Sequence, residues 1–250
     1  MRSRAPLRVG RIPFLNAAPF FAGNAFRGLV TVSAAPRRLG RLAAAGRVDT
    51  GAFSLADVWR LAKTFEPMGN YCIASKRRAA SVLLFSRRPV QELKDCSLGV
   101  TDQTSTSVLL LRLLLRSYYK VRVRVRKGFR PDDAARLLIG DAALRANRRR
   151  TGFRYVYDLG EEWYRWKKLP FVFARWAVRK NLPSESKKDL SRRLGRALRC
   201  GTDGCRFRRS PLPPAATTAY LRLLSYRFSK KERDSERLFR RLLRGAGLLR

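Results

Sequence analysis

The chain has 250 residues, 45% hydrophobic and 10% aromatic, which suits one large domain or two small ones and excludes simple disorder. Its 56 Lys and Arg against 18 Asp and Glu give a net charge of +38, and its 0 His exclude a histidine base, a Ser-His-Asp triad and any histidine-ligated metal. In chain order, Leu7 to Ile12 reads as a first strand ended by Pro13, with a helix starting near Pro19. Leu29 to Ser33 is a second strand. Pro36 to Ala45 has helical spacing, with Leu39 and Leu42 on one face and Gly46 as its stop. Val48 to Phe53 is a third strand, followed by a helix from about Ser54. This strand–helix alternation predicts an α/β fold with a largely parallel sheet.

Tyr71 to Ala74 and Ser81 to Phe85 are two further strands across a basic turn. A second α/β set follows: a strand over Ser97 to Thr101, an apolar helix over Thr104 to Tyr118 and a strand over Val121 to Arg126. A helix over Pro131 to Arg136 and a buried strand over Leu137 to Ile139 complete it. Beyond an aromatic stretch, Pro170 to Val178 is a long strand. Helices are predicted over Ser184 to Arg199, Ala215 to Tyr226 and Ser229 to Leu243. The segments 81–86 and 170–178 read as crossings between two lobes. The expected architecture is therefore type II periplasmic-binding-protein-like. Lobe I is discontinuous over 1–86 and 175–250, lobe II is inserted over 87–174, and the C-terminal segment is helical. Ligands of such a fold bind beyond the carboxyl ends of the strands.

The positive charge runs along the whole chain rather than gathering in one tail or helix. It reads as a solvated surface: non-specific adhesion to nucleic acid follows physically, but no specific nucleic-acid partner is expected. The N-terminus has basic residues without the apolar core of roughly 7–15 residues that a signal peptide needs. The longest apolar runs, such as Val108 to Leu111, are broken by Arg112 and Arg116, short of the ~20 residues of a membrane span. A cytoplasmic location is expected. Cys72, Cys96, Cys200 and Cys205 are sparse and irregular and read as reduced thiols, although Cys200 and Cys205 could pair across the segment between them. The sequence lacks C-x-x-C, and its helix starts lack the glycine patterns for ATP or NAD, so no metal and no cofactor are expected.

Small polar residues fall just after predicted strands: Asn16, Ser54, Ser86, the run Thr104, Ser105, Thr106 and Ser107, and Asp141. In an open α/β sheet these converge on one cleft. The Thr104–Ser107 run opens an apolar helix, whose orphan N–H groups and dipole favour a small carboxylate or phosphate. Arg11 and Arg175 are candidate cationic contacts. The segment Glu161 to Trp166 could line the pocket or pack in the core.

Several motifs, in this order, resemble the chorismate dehydratase family of the futalosine route to menaquinone. They are Arg8 to Asn16 with Ala18-Pro19-Phe20, Val48 to Leu55, Tyr71 to Ala74, Ser81 to Ser86, Val100 to Ser107, Leu138 to Leu144, Tyr157 to Tyr164 and Leu169 to Trp176. Phe14 stands where the family is expected to carry Tyr, and Ala17 where Cys is common. The resemblance implies a hydro-lyase that converts chorismate, a dicarboxylate, to 3-[(1-carboxyvinyl)oxy]benzoate plus water. With no His, the base is an Asp, a Glu, a water or the substrate's own side-chain carboxylate, the last being favoured. Asn16 and Ser86 are the expected catalytic residues. Arg11, Ser54, Thr104, Ser105, Thr106, Ser107 and Asp141 are the expected substrate-binding residues, with Asp141 an alternative base. The competing readings are a non-catalytic carboxylate-binding protein on the same fold and the related 1,4-dihydroxy-6-naphthoate synthase, which is expected to need a histidine base. A nucleic-acid-binding protein is a third, supported only by charge.

Overall fold

The structure is a computed structural model that describes residues 6–149, 152–202, 207 and 210–249. The chain begins with β1 (Arg8–Arg11), a 3-10 segment over Leu15–Asn24, β2 (Val30–Ser33) and α1 (Pro36–Ala44). β3 (Thr50–Ser54) runs directly into α2 (Leu55–Arg60), because the Ser54 hydroxyl caps the helix by accepting from Asp57 N at 3.2 Å. β4 (Phe65–Ser75) is longer than the predicted strand.

The chain then crosses to a second sheet. β5 (Val82–Ser86), β6 (Ser97–Val100), α3 (Thr106–Leu113), β7 (Arg124–Lys127), β8 (Ala135–Ile139), α4 (Gly140–Arg149), β9 (Tyr155–Asp158) and α5 (Leu159–Lys167) follow. It returns through β10 (Phe171–Arg179) and ends with α6 (Ser184–Thr202), α7 (Pro214–Arg222), β11 (Leu224–Arg227) and α8 (Lys230–Gly245).

The first sheet has the order β11-β4-β10-β3-β1-β2 and the second β7-β6-β8-β5-β9. Both are mixed rather than largely parallel. β1 pairs in parallel with β2 and β3, while β10 runs antiparallel to β3 and β4. β6 pairs in parallel with β7 and β8, while β5 runs antiparallel to β8 and β9. Parallel neighbours need a helical crossover, and here only part of each sheet has one.

Two segments, 76–81 and 168–170, carry the chain between the sheets, and their flanking residues Ser75 and Phe171 are paired. Asp158 holds the first crossing to the start of α5. Its carboxylate accepts from Ala79 N (2.9 Å), Ala80 N (2.6 Å), Gly160 N (2.9 Å) and Glu161 N (3.2 Å). α8 spans both halves. Glu236 accepts from Trp59 Nε1 of α2 at 3.0 Å, Ser235 accepts from Trp163 Nε1 of α5 at 3.1 Å, and Phe239 packs on Trp163 and Phe171. Each such fully buried aromatic contributes about 1.5–3 kcal/mol by leaving water.

The structure corrects several sequence expectations. Residues 131–134 form a turn, not a helix, because the Asp133 carboxylate accepts from Arg130 N at 2.7 Å and from the Arg126 guanidinium at 2.6 Å. The strand expected from Val121 starts later, at Arg124. The helix from Thr104 narrows to α3 followed by a π turn over Leu114–Tyr118. The aromatic stretch resolves into β9 and α5, and the helix expected over 215–226 breaks after Arg222 to supply β11, an edge strand on β4. Cys72, Cys96 and Cys200 are free thiols, and Cys205 lies outside the described residues. Among the described residues, no helix is long and apolar enough to cross a membrane.

Candidate functional site

The carboxyl ends of β1 and β3, the starts of α2 and α3, and the β8–α4 junction line a small, partly open cavity of about 50 Å³. Its polar lining is Asn16, Ser54, Thr104, Thr106 and Ser107, and its walls include Phe14, Ile73 and Gly140. The strand-end argument placed all five of these polar residues together.

The hydroxyls are held by the helix starts. Ser54 Oγ donates to Asp57 Oδ2 at 2.5 Å while capping α2. Thr104 Oγ1 accepts from Ser107 N at 3.2 Å, so Thr104, not Ser105, caps α3 with its side chain. Thr106 Oγ1 accepts from Ala56 N at 3.0 Å, which joins the start of α3 to the start of α2 across the two sheets. A hydroxyl that accepts one bond keeps its own proton to donate, so Thr104 and Thr106 retain donors for an anion. Asn16 differs: its Oδ1 is buried and has no hydrogen-bond partner. An unpaired buried carbonyl costs about 1–3 kcal/mol, which a polar ligand would recover.

Arg11 and Asp141 lie elsewhere. They line an open groove of about 570 Å³ with Pro13, Leu15, Thr31 and Ser33, and Phe14 is the wall that this groove shares with the small cavity. Arg11 is exposed, with its guanidinium 5.0 Å from the centre of the Phe21 ring. Asp141 is half-buried, and its Oδ1 accepts from Leu15 N at 2.8 Å. Burial pushes the Asp141 carboxyl above the usual carboxylate range, against the opposing pull of Leu15 N–H and Arg145.

Two further expected residues, Ser105 and Ser86, are also absent from the cavity lining. Ser105 is half-buried and faces a neighbouring groove that Arg37, Arg60 and Arg112 also line. Ser86 is fully buried at the far end of β5, where its hydroxyl donates to Arg88 O at 2.6 Å. β5 runs antiparallel to β8, so Val82, not Ser86, pairs with Ile139 beside the cavity. Arg175 also serves the core: its guanidinium lies 3.6 Å from Glu236 and 3.7 Å from the Phe228 ring centre. The segment 161–166 is α5, and its Trp163 is buried in the core. Sequence reasoning missed Phe14 and Gly140 as cavity walls. The signal was a bulky apolar residue beside Pro13 at the end of a strand, and a glycine at a strand–helix junction. Among the described residues, no group of three or more Cys, Asp or Glu is placed to hold a metal ion.

The solved structure of protein AF1704 from Archaeoglobus fulgidus superposes with a TM-score of 0.70 at 15% identity, covering 97% of this chain and 98% of that one. The alkanesulfonate-binding protein SsuA from Xanthomonas axonopodis pv. citri, bound to MOPS, gives a TM-score of 0.69 at 14% identity, over 100% and 96% of the two chains. The fold is thus periplasmic-binding-protein-like, with two mixed sheets. In sequence, a chorismate dehydratase from Thermus thermophilus is 30% identical over 200 residues, which cover 71% of this chain and 72% of the relative. Residues 7–244 match the menaquinone biosynthesis family, and the chain belongs to it.

Proposed function

We propose that the protein is a chorismate dehydratase, a hydro-lyase that removes water from chorismate to give 3-[(1-carboxyvinyl)oxy]benzoate in the futalosine route to menaquinone. The observation that carries this reading is the buried, unpartnered Asn16 Oδ1 in a hydroxyl-lined cavity at two helix starts, in a chain of the menaquinone family whose curated relative bears that activity.

The reaction suits these groups. The proton on the ring carbon that bears the ether is vinylogously acidic, because the conjugated ring carboxylate takes up the charge. A base removes that proton, the hydroxyl on the adjacent carbon leaves and is protonated to water, and the ring becomes aromatic. Loss of one water balances the step without a redox partner. The protein's work is to hold the substrate and stabilise developing charge. The hydroxyls of Thr104, Thr106 and Ser107 at the start of α3 receive a carboxylate, where the helix dipole adds to their donors. Asn16 orients the ring hydroxyl through its free Oδ1. Arg11 supplies counter-charge to the second carboxylate from the groove. The substrate's own side-chain carboxylate is the base, since Asp141 lies on the groove side of Phe14 with one oxygen already engaged by Leu15.

The test is to incubate the purified protein with chorismate and follow products by chromatography and mass. An aromatic product one water lighter, still carrying the enolpyruvyl ether, supports the reading. Chorismate that raises Tm without turnover supports a carboxylate-binding protein instead. Neither binding nor turnover removes the functional reading.

A further inference from the structure

The small cavity and the open groove meet at one side chain. Phe14 lines both, and its ring rests on Gly140, where a Cβ would fall 2.6 Å from Phe14 Cδ2 and 2.7 Å from Cγ. Gly140 has a φ of +59°, a conformation that also disfavours any side chain there. The backbone on either side is fixed: Ala17 N donates to Phe14 O at 3.0 Å, and Leu15 N donates to Asp141 at 2.8 Å. The ring itself is half-buried: it rests on Gly140 and packs at the edge of the apolar cores of both halves.

The volumes do not suit a substrate as they stand. A cavity of about 50 Å³ has room for one or two waters, since each takes roughly 30 Å³ in the liquid. Sites for small molecules start near about 300 Å³. The groove, at about 570 Å³, is large enough, but Asn16 and the α3 hydroxyls do not line it. A ring with two carboxylates can reach both Arg11 and Thr104 only if the two spaces join.

We infer that the cavity and the groove are two halves of one site for a cyclic dicarboxylate, and that the Phe14 ring is the movable wall between them. This rests on the proposed function for the identity of the substrate, but not for the existence of the wall. Displacing the ring from Gly140 costs free energy that is charged against binding. Its return over the bound substrate excludes water from the reacting carbon. Phe14 thereby sets both how readily a ligand enters and how large it can be.

The experiment compares wild type with Phe14→Ala, Phe14→Leu and Phe14→Trp, using steady-state kinetics on chorismate and calorimetric binding of chorismate and of benzoate. Removing the wall is expected to lower KM about threefold while lowering kcat about tenfold, with Phe14→Leu between the two. Phe14→Trp is expected to raise KM with kcat largely kept. Loss of packing alone would not lower KM and kcat together. Unchanged constants, or a KM that rises in Phe14→Ala, would overturn the inference. Should Phe14→Ala lose its fold by circular dichroism, Phe14→Leu decides by the same criteria. If wild type neither binds nor turns over chorismate, the functional reading fails by itself. Benzoate then tests the wall: tighter benzoate binding by Phe14→Ala supports it, and an unchanged Kd removes it.

Discussion

Asp141 Oδ1 accepts the backbone N–H of Leu15 at 2.8 Å, and this bond ties the start of α4 on the second sheet to the segment that follows β1 on the first. Two other bonds cross near the same place: Ala56 N to Thr106 Oγ1 at 3.0 Å, and Arg37 N to Gln103 O at 3.0 Å. They surround the small cavity and hold its two sides together. Asp141 is thus a latch between the halves of the site rather than a free carboxylate.

The latch carries a pH signature. Burial raises the Asp141 carboxyl, so the folded state binds its proton more tightly than the unfolded state does. Its contribution to stability is full below the ordinary carboxylate pKa and is lost as pH rises through the raised value. Asp141→Asn keeps an oxygen to accept from Leu15 but cannot ionise. The Tm of the variant relative to wild type is expected to be near zero below about pH 4 and to grow with pH above it. Calorimetric melts across that range check this, and a pH-independent difference would refute it.

Asn16 separates activity from stability. Its Oδ1 makes no bond in the folded protein, so Asn16→Ala removes an unsatisfied acceptor and is expected to leave Tm unchanged or slightly higher. With chorismate as substrate, kcat/KM is expected to fall about a hundredfold, the scale of losing one well-placed group at a reacting centre. Wild-type kcat/KM in this variant would end its assigned role.

Thr106 behaves in the opposite way. Thr106→Val keeps the shape but leaves Ala56 N–H without an acceptor at the start of α2. A loss of about 1–2 kcal/mol is expected in denaturant unfolding. KM for chorismate is expected to rise as well, because the residue that bridges the two helix starts also lines the cavity.

Much of the fold was legible where local chemistry was unambiguous. Pro13 followed β1, Gly46 followed α1, and the helix expected from about Ser54 is α2, with Ser54 as its cap. α5 was missed although Asp158 and Glu161 stand at N-cap and N3 spacing, because the tryptophans that follow were read as pocket or core. β11 was not legible: Leu224–Arg227 continues a helical pattern and is a strand only because β4 offers an edge. Within the site, Asn16, Ser54, Thr104, Thr106 and Ser107 followed from the rule that ligands meet strand carboxyl ends. That rule assumes parallel strands. It failed for Ser86 because β5 runs the other way, a direction set by pairing with β8 and β9 and absent from local sequence.

Ser86 therefore makes a clear control. Ser86→Ala removes a buried hydroxyl that bonds only the turn at Arg88. It is expected to cost about 1 kcal/mol of stability and to leave KM and kcat for chorismate at wild-type values. A tenfold loss of kcat would return Ser86 to the reacting centre.

Asp158 tests the join between the sheets. Its two oxygens satisfy four N–H groups, two in the crossing segment at Ala79 and Ala80 and two at the start of α5. Gly160 fits beneath this arrangement because a Cβ there would lie 2.6 Å from Ser75 Oγ. Asp158→Ala leaves all four donors buried or half-buried without this acceptor, and a loss of about 3 kcal/mol or more is expected. Asp158→Asn is milder but not neutral. One oxygen can still serve Ala79, Gly160 and Glu161, while the amide nitrogen would face Ala80 N–H, donor against donor. Hydrogen exchange distinguishes this clamp from general destabilisation. In Asp158→Asn, protection is expected to fall first at Ala79, Ala80 and the first turn of α5, while amides in β3 and β10 keep theirs. A uniform loss across both sheets would mean that Asp158 stabilises the whole fold without any special hold on the crossing.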